Sequence, residues 1–533
     1  YGNPFFAEEL ARYIGGTTAN EEAAHLLEAS EQVATTSSSY SHHQQTPHSP
    51  RAQNSLPEAI AAVLERRLNK LSVDCRQLLS KAAVLGGSFM FNQLLPMASE
   101  STEDRVLDLL EEALQAGLLI EEGRGAHITY HFWHPLIISH LYARLSAARR
   151  AQLHRKAAEA IKAANDTPSD ETKIAATIFY HLSHGGGSPQ QIAHYAELAG
   201  HQAYALSAYS EAQHYYLQTL LALMNKAGNN DAHAVIRHLR EISSRNLAQA
   251  ATLDPPYIGR LLEYVAECSG TQGNFEEARF IYQCILDYRI DTYHRRMPAD
   301  DKIDQHHFQQ QEAQVQALLW REIGITWSYT GEYALAYESY ERGRAIMHNA
   351  GITTGAAWAC LQIEYGEMFR LAGSYQKARQ NLEEALSMLR QIVQSAQGNA
   401  PSHMQPATSA RRRSGQPTRI ERALLGDQFE IGYAHERLGI VEASIGHFSE
   451  AQENMQVALS IYEQGELVSA TARVCGNLGA VHILRGEHDA ARIYMHRALN
   501  LAERTGDLPN MAFIAINLGE AAHHSGDLKE AEG

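Results

Sequence analysis

The stretch LGAVHILRGEHDAARIYM, residues 478–495, contains the pattern that decides the fold. Gly479 is followed after seven residues by Gly486 and after twelve by Ala491. Small residues such as Gly479 and Ala491 let two antiparallel helices approach closely. A glycine between them ends the first helix in a left-handed backbone conformation. The stretch therefore predicts one helical hairpin.

The same spacing recurs along the chain, and a degenerate form begins at Ala266 and a looser one at Gly200 and Ser207. The first glycines of the clear copies are 42, 73, 40 and 40 residues apart. Such a period is typical of helical solenoids, and the copies resemble tetratricopeptide repeats of unusual length without the usual final proline. The residues predicted to pack these repeats are Gly324, Gly331, Ala336, Gly366, Gly373, Ala378, Gly439, Gly446, Ala451, Gly479, Gly486, Ala491, Gly519, Gly526 and Ala531.

The step of 73 residues indicates an insertion at residues 394–420 between two blocks of repeats, 231–393 and 421–533. The insertion is polar and contains Arg411, Arg412, Arg413 and Arg419, with Arg422 just beyond it. Its composition favours a disordered basic loop at one edge of the superhelix. The alternative is a docking segment for an acidic partner.

Residues 55–150 have a different pattern, in which three helices precede a short hairpin. The hairpin is predicted from Leu118-Leu119-Ile120 and the alternating HITYHF, residues 127–132. This order predicts a winged helix. Its candidate recognition helix, EDRVLDLLEEALQAG, is acidic, so an internal switch is favoured over direct contact with nucleic acid. Residues 151–230 are predicted to be a helical linker and a first degenerate repeat.

The composition points away from several classes of protein. The net charge is −16, and no stretch of about 18 apolar residues predicts a membrane span. No Gly-Lys dipeptide occurs, so the chain contains no P-loop, and HExxH and GxSxG are also absent. Residues 30–54 are a polar linker whose histidines have no cysteine or carboxylate beside them, so no metal site is predicted. We expect no catalytic residues and no enzyme activity in this chain.

The first residues, Gly2-Asn3-Pro4-Phe5-Phe6, resemble the GxP element of signal-transduction ATPases with numerous domains, the STAND class. In the order found in that class there follow LPEAIAAVLERRLNKLS, KAAVLGGSF, HFWHPLI, RRAQLH and helical repeats. The class is AAA+/NB-ARC-like and includes the large LuxR/MalT-type bacterial regulators. The resemblance implies that residues 1–29 are the end of an ATPase module whose core precedes this chain. Taken alone, the same letters fit an Asn N-cap and a Pro in a first helical turn.

The resemblance also implies a nucleotide switch. Gly2 and Pro4 would lie at the adenine of bound ATP or ADP in the intact parent protein, and His134 would sense the β-phosphate of ADP. The alternative for His134 is a cap for the helix that begins at Pro135. Without the ATPase core, this fragment is not expected to bind nucleotide tightly.

The sequence as a whole predicts an all-α protein with a winged-helix domain followed by a superhelix of tetratricopeptide-like repeats. The predicted function is the sensor and regulatory portion of a cytoplasmic, nucleotide-switched signalling ATPase that regulates transcription. Its repeat groove would bind a protein or a small effector, and the parent would self-associate on activation. The alternative is a nucleotide-independent interaction scaffold. Both termini are expected to be cut from a longer protein.

Overall fold

The computed structural model describes residues 65–98, 102–124, 128–165, 168–224, 255–298, 302–398 and 415–525. From Arg66 onward these residues belong to one unit, Arg66–Gly533. The predictions for Gly2, Pro4, the linker, Gly526 and Ala531 lie outside the described residues.

The first described elements alternate short helices with strands. They are α1 (Val73–Leu85), β1 (Ser88–Met90), α2 (Phe91–Leu94), a 3₁₀ turn (Leu95–Ala98), α3 (Glu103–Gln115), β2 (Leu119–Glu122), β3 (Thr129–Phe132) and α4 (Pro135–Ala143). Hydroxyl groups begin two of these helices, since Ser72 Oγ accepts the Cys75 N–H at 3.1 Å and Thr102 caps α3.

The strands form a three-stranded antiparallel sheet in the order β1-β3-β2. Strands β2 and β3 lie where the sequence predicts a hairpin, and Leu119 pairs with Phe132. Strand β1 was not predicted, and its Phe89 pairs with Tyr130 and is buried. The sheet thus presents alternate aromatic side chains to the helices, as the two-residue period of a strand requires.

The remaining elements are helices, most of which pair with the next one as an antiparallel hairpin. They are α5 (Ala147–Ala164), α6 (Pro168–Gly185), α7 (Pro189–Ala205), α8 (Tyr209–Leu223), α9 (Pro255–Thr271), α10 (Phe275–Arg296), α11 (Lys302–Tyr329), α12 (Tyr333–Asn349), α13 (Ala356–Leu371), α14 (Tyr375–Gly398), α15 (Arg419–Leu425), α16 (Gln428–Ile445), α17 (Phe448–Gln464), α18 (Val468–Leu484), α19 (His488–Thr505) and α20 (Leu508–Ser525). The described chain is an all-α superhelix of tetratricopeptide-like repeats beyond the small sheet, as predicted.

The glycine between the helices of a repeat takes the left-handed conformation. The φ angles of Gly331, Gly373, Gly446 and Gly486 are +81°, +70°, +93° and +75°. At Gly486 the glycine N–H bonds to Ile483 O, and the following Glu487 N–H bonds to His482 O. This pair of bonds satisfies carbonyl groups that the helix end would otherwise leave unbonded.

The first glycine of a repeat makes room for a bulky side chain of the second helix. A Cβ atom on Gly324 would lie 2.3 Å from Tyr340 Cε1, and one on Gly479 would lie 2.7 Å from Met495 Cε. Gly366 and Gly439 face Leu382 and Met455 in the same way. The large residues therefore pack onto the glycine of their own hairpin. Gly519 lies on α20.

The two ends of the predicted insertion are helical. Helix α14 continues to Gly398, and α15 begins at Arg419. Within the predicted insertion, residues 399–414 are the ones outside the described part. Arg419 and Arg422, which the sequence grouped with a disordered basic loop, lie on α15, and Arg422 is buried. In the described part of the chain no helix is both long and apolar enough to cross a membrane.

Candidate functional site

The first helices of the hairpins form the inner surface of the superhelix, where a cavity of about 160 Å³ opens. Aromatic and charged side chains line it. They include Tyr204, Tyr209, Glu267, Phe275, Tyr282, Glu322, Tyr329, Arg419, Arg422, Phe429, Glu466, Arg473 and Asp507, and the neutral polar Ser469 and Asn510 lie among them. Concave surfaces of this kind are what helical repeat proteins use to bind partners.

Two residues of this cavity hold a backbone conformation that favours glycine. Ser207 and Glu466 have φ angles of +59° and +54°, and they are the non-glycine residues with positive φ in the described part of the chain. Both follow a helix at a place where other repeats have glycine, as the looser repeat at Gly200 and Ser207 suggests. Residues that are held in a strained backbone conformation are commonly found at functional sites.

Charged side chains also lie buried between the inner helices. Arg321 of α11 is fully buried, and its guanidinium contacts Glu430 at 3.0 Å and Glu364 at 3.0 Å. Since a buried charge is costly unless it is paired, these contacts join α11, α13 and α16. Further along, Arg473 contacts Glu436 through two nitrogen atoms at 2.8 Å each.

Burial changes the acidity of the carboxyl groups near the cavity. Desolvation raises the pKa of Glu263 to about 7, and it also raises the pKa values of Glu267 and Asp507. Arg422 lies near Glu267 and opposes this effect. Burial therefore favours the protonated form of these carboxyl groups more than water would.

Two buried nitrogen atoms of the cavity lining, Nε of Arg419 and Nε of Arg422, have no hydrogen-bond partner within the described part of the protein. Buried donors without a partner are unusual in proteins. Such donors suit a ligand that brings carbonyl or carboxylate oxygen atoms.

His134 is the N-cap of α4, and its Nδ1 accepts the Leu136 N–H at 3.2 Å. Desolvation lowers the pKa of His134, which favours the neutral ring that this bond requires. With Nδ1 as the acceptor, the ring hydrogen is on Nε2. The capping role, which the sequence left as an alternative to ADP sensing, is thus present in the structure.

A pair of histidines lies between α4, α5 and α6. His154 and His181 are both buried, with their Nδ1 atoms 2.9 Å apart, and the Tyr142 hydroxyl lies 2.9 Å from His154 Nε2. Desolvation lowers the pKa of each ring to about 4. Within the described ranges, no three His, Cys, Asp or Glu side chains are grouped so as to hold a metal ion.

Sequence reasoning missed the buried charges. A signal for them exists, because Glu322, Glu364, Arg437 and Asn477 each stand two residues before the first glycine of a repeat. A polar residue recurring inside an otherwise apolar helix marks the inner face of the superhelix. The contacts of residues 415–425 occur once in the chain, so no repeating sequence pattern indicates them.

Comparisons with known proteins support the repeat fold. A family model described as tetratricopeptide repeat matches residues 468–533, which confirms the prediction of such repeats there. No curated protein matches the chain.

Three solved structures are similar to parts of the chain. BtubC (BKLC) from P. vanneervenii has 17% identity, with 50% of this chain and 88% of that chain covered and a TM-score of 0.31. A STAND protein with a tetratricopeptide repeat sensor from Pyrococcus horikoshii has 14% identity, coverage of 99% and 70%, and a TM-score of 0.33. A Rap protein complexed with Competence and Sporulation Factor has 13% identity, coverage of 68% and 85%, and a TM-score of 0.37. All three TM-scores are below 0.5, so these structures do not decide what the chain does.

Proposed function

We propose that the chain is the sensor and regulatory portion of a nucleotide-switched signalling ATPase, and that its repeat superhelix binds a protein or effector. The cavity on the inner surface carries the binding part of this proposal. It combines aromatic and charged side chains with two residues, Ser207 and Glu466, whose backbone φ angle is positive. A ligand that prefers one of two conformations of the parent would shift their populations.

The nucleotide part of the proposal rests on the order of elements and on His134. Three-helix and strand elements precede α4 in the order expected of a winged helix, and His134 stands where the last strand meets α4. A neutral ring with its hydrogen on Nε2 is a suitable donor to a phosphate oxygen. ATP or ADP would be bound by the intact parent, together with Gly2 and Pro4. Regulation of transcription, self-association and a cytoplasmic location belong to the same proposal.

The decisive experiment uses the full-length parent protein and compares His134→Ala with His134→Asn. Asparagine is a good N-cap, so it preserves the capping of α4 but not the imidazole. If His134 senses ADP, both variants release ADP faster and have higher basal output than the wild type. If His134 only caps α4, the asparagine variant behaves as the wild type, and the sensing role is wrong.

The second candidate is an interaction scaffold that needs no nucleotide. The match of a tetratricopeptide repeat model to residues 468–533 favours it, since that match concerns the repeats alone. The coding sequence upstream of Tyr1 separates the candidates. A Gly-x4-Gly-Lys-Ser/Thr motif there supports the ATPase, whereas a start codon directly before Tyr1 supports the scaffold.

A further inference from the structure

Residues 415–425 lie on the inner surface of the superhelix instead of continuing the series of hairpins. Their helix, α15, contacts α9, α11 and α13, the first helices of three successive hairpins. Ile420 and Ala423 are buried in the apolar cluster that contains Ala357, Cys360 and Leu361. The segment thus occupies the position in which a repeat groove would hold a bound peptide.

Acidic and hydroxyl side chains of α9 bind the start of this segment. Thr418 Oγ1 donates to Glu263 Oε2 at 2.6 Å, and the Arg419 backbone N–H donates to Glu267. The Tyr264 hydroxyl donates to the Gln416 carbonyl, again a contact to the backbone. Side chains of the groove that bind backbone groups of an inserted segment are typical of peptide recognition.

Charge complements these bonds. The Arg419 guanidinium lies 3.3 Å from Glu322 of α11, and that of Arg422 lies 3.8 Å from Glu267. The groove is acidic where the segment is basic. The sequence left docking onto an acidic partner as an alternative for the arginine-rich insertion, and the acidic groups that Arg419 and Arg422 contact belong to this chain.

The segment has its own beginning and end. Thr418 and Glu421 form a capping box, in which Thr418 Oγ1 accepts the Glu421 N–H and Glu421 accepts the Thr418 N–H. Gly415 and Gly426 flank the helix at φ angles of +75° and +60°. A helix with its own cap does not need the neighbouring helices to begin or end it.

We propose that the inner surface of α9, α11 and α13 is a docking site for a short helical peptide, and that residues 415–425 are its internal occupant. A partner helix with a hydroxyl N-cap, an arginine after it and apolar residues on one face displaces this occupant. The proposal rests on the proposed function in that the inner surface binds a partner.

Replacement is favoured over simple release. Ile420 and Ala423 cover apolar side chains that would meet water if the segment left without a replacement, and exposure of apolar surface to water is unfavourable. The tethered segment also has an effective concentration on the order of millimolar, which a free partner must overcome. The internal occupant therefore sets the affinity or concentration that a partner needs in order to bind.

A peptide of residues 415–427 tests the proposal when added to the chain 1–533. Thr418→Ala with Ile420→Ala weakens the internal segment, and this variant should bind the peptide at least about tenfold more tightly than the wild type. A peptide with the same two substitutions should not bind. Leu425→Ser is the matched control, since Leu425 is 61% exposed on the same helix, and it should behave as the wild type. Equal binding of the peptide to all three chains would overturn the proposal.

Hydrogen exchange on the unmodified chain gives a second test in case the double variant does not fold. The free energy of the opening that exposes the amides of α15 should be lower than that for α13 and α16, because the segment detaches as a unit. Exchange of α15 only together with α13 and α16 would show that it is a fixed part of the core. Neither experiment involves His134 or nucleotide, so this proposal and the proposed ATPase function can fail separately.

Discussion

At the scale of single residues, glycines set the distance between the two helices of a repeat, because they have no side chain to hold the helices apart. Gly324 lies against the ring of Tyr340, which is fully buried and has no space to move away. Gly259 is also in a helix, but a Cβ atom there would be 4.0 Å from the nearest atom, Ile285 Cγ2. The same substitution at the two glycines should therefore have opposite effects.

We expect Gly324→Ala to lower the free energy of unfolding by up to about 2 kcal/mol. Overpacking costs roughly 1–3 kcal/mol and the gain in helix propensity returns about 1 kcal/mol. Gly259→Ala gains propensity without the clash and should leave stability equal or higher by up to about 1 kcal/mol. Urea denaturation of both variants measures this. Loss of stability in both would mean that the close approach at Gly324 is not the cause.

Residue spacing predicted that two helices meet at each of these glycines, because the glycine and the alanine twelve residues later belong to one hairpin. Gly479 and Ala491 are close along the chain, so a repeating pattern reveals them, whereas the packing of Met495 on Gly479 was not predicted. The Thr418 contact to Glu263 spans 155 residues and occurs once, so no pattern marks it. His134 was recognised as a candidate, but its capping bond depends on backbone angles that the sequence does not give. Strand β1, three residues long, is too short for alternation to be seen.

At the scale of elements, a buried ionic contact joins three inner helices. Arg321 is fully buried, and Glu364 and Glu430 accept hydrogen bonds from its guanidinium. Replacing Arg321 would leave two buried carboxylates without their cation. Removal of one partner of a buried pair costs far more than loss of an exposed pair.

We expect Arg321→Leu to lower the free energy of unfolding by about 3–5 kcal/mol. Arg497→Leu is the control, because its pair with Glu463 has side chains 46% and 43% exposed. That control should lose less than about 1 kcal/mol. Unfolding in urea, followed by circular dichroism, compares the two. Similar small losses would show that the Arg321 contacts add little to the joining of the helices.

The histidine pair makes the junction of α4, α5 and α6 sensitive to acid. Tyr142, Arg150, Tyr180 and His184 surround the two rings. The pKa values of His154 and His181 are lowered to about 4, so the unfolded chain binds these protons at higher pH than the folded chain does. Their contribution to stability is therefore complete above pH 6.5 and is lost as the pH falls towards 4.

The free energy of unfolding should fall with decreasing pH between pH 6.5 and 4. We expect His181→Gln to reduce the slope of this dependence by roughly 1.4 kcal/mol per pH unit, which corresponds to about one proton. Thermal or urea unfolding across this range gives the slope. His348→Gln, at an exposed position of α12, should leave it unchanged. An unchanged slope in His181→Gln would mean that other groups govern acid unfolding.

At the scale of the whole molecule, repeats far apart in the sequence come into contact. Tyr209 and Ser469 line the same cavity, and Gly273 lies against Pro509. In an ordinary solenoid each repeat contacts only its neighbours, so a change at one end does not affect the other. Here the hairpins α7–α8 and α9–α10 should be stabilised by the last described helices, α18 and α20.

A chain truncated after Gly465 tests this coupling. We expect faster hydrogen exchange in α8, and in α7 which pairs with it, because Tyr209 of α8 loses its hydrogen bond with Ser469 of α18. Exchange in α12 should change little, since the residues that line the cavity do not include it. Unchanged exchange in α7 and α8 would identify the molecule as an ordinary nearest-neighbour solenoid.

The contact of Gly273 with Pro509 has a mechanical consequence. A coil whose successive turns touch is stiff in compression, whereas stretching it requires only that the touching surfaces separate. The superhelix should therefore resist compression more strongly than extension. When it is pulled, its length should increase in one abrupt step as Gly273 and Pro509 separate, and not in proportion to the force.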